Sequence, residues 1–99
     1  INLNQLVNLT SSNASKIFGL SGKGHLEVGY DADITMIDLK KEAKVSHELF
    51  GGFSDYLVYD GWNLKGWPVK TIVRGTVVAE DFEVIGKPGY GNFIPRVLS

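Results

Sequence analysis

Cysteine is missing from the 99-residue sequence, which excludes disulfides and thiolate metal ligands. Histidine is scarce: His25 and His47 are the only two. Neither an H-x-H nor an H-E-x-x-H spacing occurs, so no spacing announces the three ligands of a catalytic zinc. No segment approaches the run of ~18 apolar residues that a membrane-spanning helix needs. Surplus charge is also lacking. Ten Lys and Arg stand against eleven Asp and Glu, a formal net charge of -1, which leaves no basic footprint for nucleic acid or an anionic membrane. Methionine occurs once, at Met36, and the chain opens on Ile1. With no signal-like segment to account for that opening, the expectation is a piece of a longer, cytoplasmic protein.

What is there is globular in balance. Hydrophobic residues make up 43% and charged residues 21%, too apolar for a disordered chain and enough for one small domain. The first twenty residues carry helical spacing at Leu3, Leu6 and Val7 and again at Ala14, Ile17 and Phe18. The cap formers of "TSSN" predict a break near residues 10–13, with Asn13 capping a second short helix and Gly19 closing it. The apolar stripe is expected to pack into a core. Beyond Gly22 the period changes. "HLEV" predicts a short strand, and "DITMIDL" a strand apolar on both faces and hence covered on both. "KVSHEL" is a weaker strand. "WPVKTIVRGTVVAED" reads as a hairpin reversing at Gly75. Asp81 and Phe82 mark a further turn before Glu83–Ile85, and "GKPGYGNFIPRVLS" reads as loop. The sum is an α+β chain: N-terminal helices, then short, mostly antiparallel strands of a partial β-sandwich.

The acids of "GYDADITMIDLK" are the first candidates for chemistry. In an extended segment Asp31 and Asp33 point to one side, ~7 Å apart, where two carboxylates could share an ion or a proton. A calcium loop beginning at Asp31 would place Glu42 correctly at its twelfth position, but Met36 stands where glycine is required. A turn is the simpler reading: Gly29 permits an unusual backbone angle, and each Asp can accept an N–H. The serines have no G-x-S-x-G setting. "GKPGYG" lacks the strand-to-helix context and G-K-S/T ending of a phosphate loop, and reads as a surface turn. Trp62, Trp67, Tyr56, Tyr59 and Tyr90 could form a stacking surface, but in a small domain aromatics more often fill core or interface.

Taken in order, "NASKIFGL", "GKGHLEVGYDADITMIDL", "SDYLVYDGWNLKGWPVKTIVRGTVVAED" and "GKPGYGNFIPR" resemble the C-terminal end of the cyclic amidohydrolases, among them D-hydantoinase, dihydropyrimidinase and dihydroorotase. The resemblance covers residues 3–96. Asp55, Tyr56, Tyr59, Asp60 and Gly61 match the hydantoinase and dihydropyrimidinase pattern, whereas "WNLKGWPVKTIVRG" fits dihydroorotases equally. Three positions depart from the family: Ala14 stands where proline is common, Ser15 where alanine is, and Phe82 where glycine follows the aspartate. Phe82 suits a tight turn poorly, so a longer or distorted turn is expected after Asp81.

The resemblance implies a (β/α)8 barrel with two divalent metals, zinc in the usual case, beside a small β-sandwich built from both chain ends. Residues 1–21 would close the barrel, and residues 22–99 would supply the C-terminal part of the sandwich. The metal ligands and catalytic aspartate of such enzymes lie upstream, so no catalytic, cofactor-binding or metal residue is carried onto this chain. The partners implied are the missing N-terminal part and further copies of the parent. A sheet lacking its N-terminal strands should dimerise, swap strands or be poorly stable. The tail from Tyr90 to Arg96 is a further candidate contact with a neighbouring subunit. Two other readings stand beside this one: a free-standing β-rich binding or assembly module, and a small enzyme using Asp31, Asp33 and a histidine.

Overall fold

Asn2 starts the first helix by exchanging hydrogen bonds with Gln5. The Asn2 carboxamide oxygen accepts the Gln5 backbone N–H at 2.9 Å, and Gln5 Oε1 accepts the Asn2 N–H at 2.9 Å. Two donors that a helix start leaves unsatisfied are thereby used. The computed structural model describes residues 2–46 and 58–97. Helix α1 spans Leu3–Val7, a π-helical stretch follows over Asn8–Ser12, and α2 spans Asn13–Phe18. The expected break is therefore a widened turn inside a continuous helix. Asn13 lies within it at φ -69 and ψ -38 and does not act as an N-cap. Gly19 closes α2 as expected, in the left-handed conformation at φ 67, which glycine adopts without a Cβ penalty.

The chain forms two compact units. The first comprises Ile1–Ile34, Ile72–Thr76 and Lys87–Ser99; the second comprises Thr35–Thr71 and Val77–Gly86. Strands β1 (Ile34–Lys44), β2 (Asn63–Val73), β3 (Thr76–Glu80) and β4 (Glu83–Val84) form a sheet in the order β1-β2-β3-β4. β3 and β4 pair antiparallel, with Ala79 opposite Val84 and Glu80 opposite Glu83. The architecture is α+β, an N-terminal helix followed by a short, open antiparallel sheet.

Both hairpin turns are two residues long with positive φ at both positions: 46 and 79 at Arg74 and Gly75, 48 and 68 at Asp81 and Phe82. That is the type I′ geometry whose twist matches the flanking strands. The turn after Asp81 is thus tight, where a longer or distorted one was expected. The Phe82 ring lies 5.3 Å from the Trp67 ring, centroid to centroid, and the Lys41 ammonium sits 4.6 Å from the Phe82 centroid. These contacts offset the ~1–2 kcal/mol that a left-handed non-glycine residue costs.

Burial corrects three further expectations. "HLEV" forms no strand. The stripe Leu3, Leu6, Val7, Ile17 and Phe18 is exposed, and the buried position of α2 is Ser15. β1 is uncovered on both faces, with Thr35–Lys40 exposed in succession. An apolar side chain is buried only if something lies over it, and among the described residues nothing covers these. Among the described residues, the large apolar ones that are buried, Val45 and Trp67, both belong to the second unit. Trp67 satisfies its indole N–H on the Leu64 carbonyl at 2.7 Å. Val45 exchanges backbone bonds with Trp62 and Gly61 at 2.7 and 2.8 Å.

Candidate functional site

Among the described residues, charged and polar groups of three loops meet in the first unit. Gly29, at φ 94, lets the chain turn into the segment that carries the acids. The Asp33 N–H bonds the Asp31 carbonyl at 2.9 Å, and the Asp31 N–H bonds the Gly22 carbonyl at 3.0 Å. Both carboxylates then fall on one side, as the alternation in the sequence predicts. The Lys23 ammonium takes both: it is 2.9 Å from Asp31 Oδ2 and also hydrogen-bonds Asp33 Oδ2. The other Asp33 oxygen accepts the Arg74 backbone N–H at 3.0 Å.

Electrostatics follow from this geometry. The Lys23 ammonium, helped by the Arg74 N–H, holds the Asp33 carboxyl below its ordinary range against the opposing effect of burial. Asp33, then Asp31, push the Lys23 ammonium up. Each side stabilises the charged form of the other. The two carboxylates therefore share one lysine, and a divalent ion would have to displace it. Among the described residues no group of three His, Cys, Asp or Glu could hold a metal ion. These residues do not fit a metal centre. His25 stacks edge-on to Tyr30, with ring centroids 5.5 Å apart. His47, Asp55 and Tyr56 lie outside the described residues, as does the end of "KVSHEL".

The Arg74–Gly75 turn gathers the rest of the unit. The Gly75 N–H bonds the Ala32 carbonyl at 3.0 Å. The Arg74 guanidinium lies 4.3 Å from the Tyr90 ring centroid and donates to the Tyr90 carbonyl. The Tyr90 hydroxyl donates to the Val73 carbonyl at 3.0 Å and lies 3.1 Å from Thr76 Oγ1. The tail is held again where the Val97 N–H meets the Gly19 carbonyl at 2.8 Å. Sequence reasoning missed this clasp. An arginine at a hairpin turn and a tyrosine between glycines carry no local signal that they will meet.

The described aromatic residues of the second unit meet in pairs. Tyr59 and Trp62 pair edge-on at 5.1 Å, and Trp67 pairs with Phe82, all within the second unit. Tyr90 belongs to the first unit. Among the described residues, the contacts above combine no nucleophile, base and oxyanion site. What the groups do together is fix loops and a tail onto a hairpin turn.

Comparison with known proteins supplies the context. The model of the amidohydrolase family matches residues 1–78. The L-hydantoinase of Paenarthrobacter aurescens is 41% identical over 97 residues, covering 97% of this chain and 21% of the relative. A dihydroorotase of Pyrococcus furiosus is 41% identical over 88 residues, covering 89% of this chain and 21% of the relative. The solved L-hydantoinase (dihydropyrimidinase) from Arthrobacter aurescens superposes with a TM-score of 0.91 at 41% identity, over 97% of this chain and 22% of that one. The chain thus spans about a fifth of the length of the curated relatives it matches.

Proposed function

This chain belongs to the amidohydrolase family, and from that premise we propose that it is the C-terminal, non-catalytic part of a metal-dependent cyclic amidohydrolase. The observation that carries this reading is a conjunction. Nearly all of the chain matches about a fifth of each relative, while its helix stripe and both faces of β1 stand exposed. Apolar surface of that kind is the mark of a missing partner. The partner is the upstream part of the same protein. Residues 1–21 are the end of its barrel and residues 22–99 its share of a composite β-sandwich.

The parent hydrolyses the C–N bond of a cyclic amide, on the pattern of the hydantoinases and dihydropyrimidinases, with dihydroorotase the runner-up. Two divalent ions, zinc by analogy, would activate the attacking water in such an enzyme. Their ligands would lie upstream; Asp31 and Asp33, the paired acids here, are committed to Lys23. The role of these 99 residues is support: the clasp at Arg74 and the Lys23 knot hold loops in place. The parent is a cytoplasmic homo-oligomer.

The test is to assay the 99-residue chain and the full parent, side by side, on hydantoin, dihydrouracil and dihydroorotate, with metal content measured for both. Ring opening and bound metal in the parent only, with hydantoin or dihydrouracil preferred, is the expected result. Turnover or a tightly held ion in the 99-residue chain alone would sink the proposal. Preference for dihydroorotate would move the parent to the other subfamily.

A further inference from the structure

The hairpin turn at Arg74 and Gly75 is bound from two sides. A β-turn closes on a bond between its outer residues, which leaves over the N–H groups of its two central residues. Here the loop ahead of β1 takes both. Asp33 Oδ1 accepts the Arg74 N–H at 3.0 Å, and the Ala32 carbonyl accepts the Gly75 N–H at 3.0 Å. The tail takes the side chain: the Arg74 guanidinium donates to the Tyr90 carbonyl and lies 4.3 Å from the Tyr90 ring centroid. Loop and tail also each reach the helix. Ser11 Oγ donates to the Gly24 carbonyl at 3.0 Å, and the Val97 N–H donates to the Gly19 carbonyl at 2.8 Å.

The tail brings little apolar burial to this arrangement. Phe93 is 89% exposed and Val97 57%, so the tail's seat depends on its polar contacts and on the Arg74–Tyr90 stack. Arg74 is the element with two settings. At φ 46 it holds a left-handed backbone, which a residue with a Cβ leaves unless its surroundings fix it. The loop fixes it through the N–H, and the tail fixes it through the guanidinium. We propose that Arg74 is a latch, through which the loop 22–33 and the tail 87–97 open and close on the hairpin turn together, as one local unit. If the loop withdraws, the Arg74 backbone relaxes and carries the guanidinium away from Tyr90. If the tail withdraws, the left-handed backbone loses one of its two holds and the loop bonds weaken. Linkage makes the two effects reciprocal. The latch rests on contacts within the first unit and does not depend on the activity proposed above.

Residue-resolved amide hydrogen exchange on the 99-residue chain tests it. Gly75 reports the loop contact and Val97 the tail. Ile85, whose N–H bonds the Val78 carbonyl at 2.8 Å in the second unit, reports whether the rest stays folded. Asp33→Ala removes the acceptor of the Arg74 N–H and should speed exchange about tenfold or more at both Gly75 and Val97, leaving Ile85 unchanged. Asp33→Asn keeps an acceptor oxygen and should speed Val97 less. Tyr90→Ala should speed Gly75 as well as Val97. Arg74→Gly relaxes the backbone and removes the guanidinium, so the connection is cut. In that background Asp33→Ala should still speed Gly75 but no longer move Val97. A Val97 amide indifferent to Asp33→Ala, a Gly75 amide indifferent to Tyr90→Ala, or an undiminished Asp33→Ala effect on Val97 in the Arg74→Gly chain would each overturn the latch. An equal rise at Ile85 would also overturn it, since the whole chain would then be opening rather than this unit.

Discussion

Phe82 meets Trp67 edge-on, the two rings inclined at 85° with centroids 5.3 Å apart, although Phe82 occupies a backbone conformation that favours glycine. The side chain and the backbone at this position therefore oppose each other. Phe82→Ala keeps the strained dihedral and loses the ring's contacts with Trp67 and Lys41. Its expected cost is about 2 kcal/mol. Phe82→Gly loses the same contacts but relaxes the turn, and should fall within about 1 kcal/mol of the unaltered chain. Urea unfolding of both variants checks the order. An alanine variant more stable than the glycine variant would contradict it.

The Lys23 knot predicts a pH profile. Asp33 titrates below its ordinary 3.8 in the folded chain. Its contribution is present above that value and is lost as pH falls through the depressed folded value. Lys23 titrates above its ordinary 10.5. Its contribution is full below 10.5 and is lost as pH rises through the elevated value. Stability from this pair should be level between these limits and fall at both ends. Asp33→Asn should flatten the acid-side fall in a pH series of denaturation midpoints. An unchanged acid limb would remove Asp33 from the account.

Two glycines separate strain from collision. Gly22, at φ 74, has nothing within 4 Å of where a Cβ would stand, whereas at Gly24, φ 90, that Cβ would lie 2.2 Å from Ser15 Oγ. Gly22→Ala should cost about 1 kcal/mol through backbone strain alone. Gly24→Ala should cost clearly more, because the loop must part from α2 and from Ser11, which bonds the Gly24 carbonyl at 3.0 Å. Equal effects in thermal unfolding would mean that the loop does not sit against the helix as described.

Arg74 and Tyr90 predict a tail that can be released. Arg74→Lys keeps the charge but loses the planar group stacked on the ring. Tyr90→Phe keeps the ring but loses the bond to the Val73 carbonyl, worth about 1 kcal/mol. Limited proteolysis should cut the tail after residue 86 faster in both variants than in the unaltered chain. Unchanged cleavage would show that the tail is held elsewhere.

The strands and turns are legible in the sequence where local chemistry decides them. The β2–β3 reversal at Gly75 and the left-handed Gly19 follow from residue type and alternation, and so does the place of the turn at Asp81 and Phe82, though not its tight form. The common side of Asp31 and Asp33 follows from a period of two. Their partner Lys23 is not legible, because the pairing depends on how two loops close. The capping box does have a local signal, Asn2 and Gln5 standing three apart, but the richer "TSSN" outweighs it. That cluster misleads for a physical reason: Ser and Asn stabilise a helix start or a widened turn alike, and composition does not separate the two. Cover over β1 and the helix stripe is a sound inference from apolar content. Which chain supplies the cover is not written in these residues.

The widened turn over Asn8–Ser12 has a consequence for how this helix tolerates change in length. Each residue added to an α-helix rotates the rest of the helix by about 100°, and a π turn absorbs an extra residue without losing the chain of hydrogen bonds. Removing one residue there would restore even winding and leave Ser15, Ile17 and Phe18 facing nearly as they do, with Ser15 still against Gly24. The same deletion within α2, ahead of Ser15, would instead swing them through about a quarter-turn. This stretch behaves as slack in the winding: a change in length is taken up within it before it reaches the direction α2 faces.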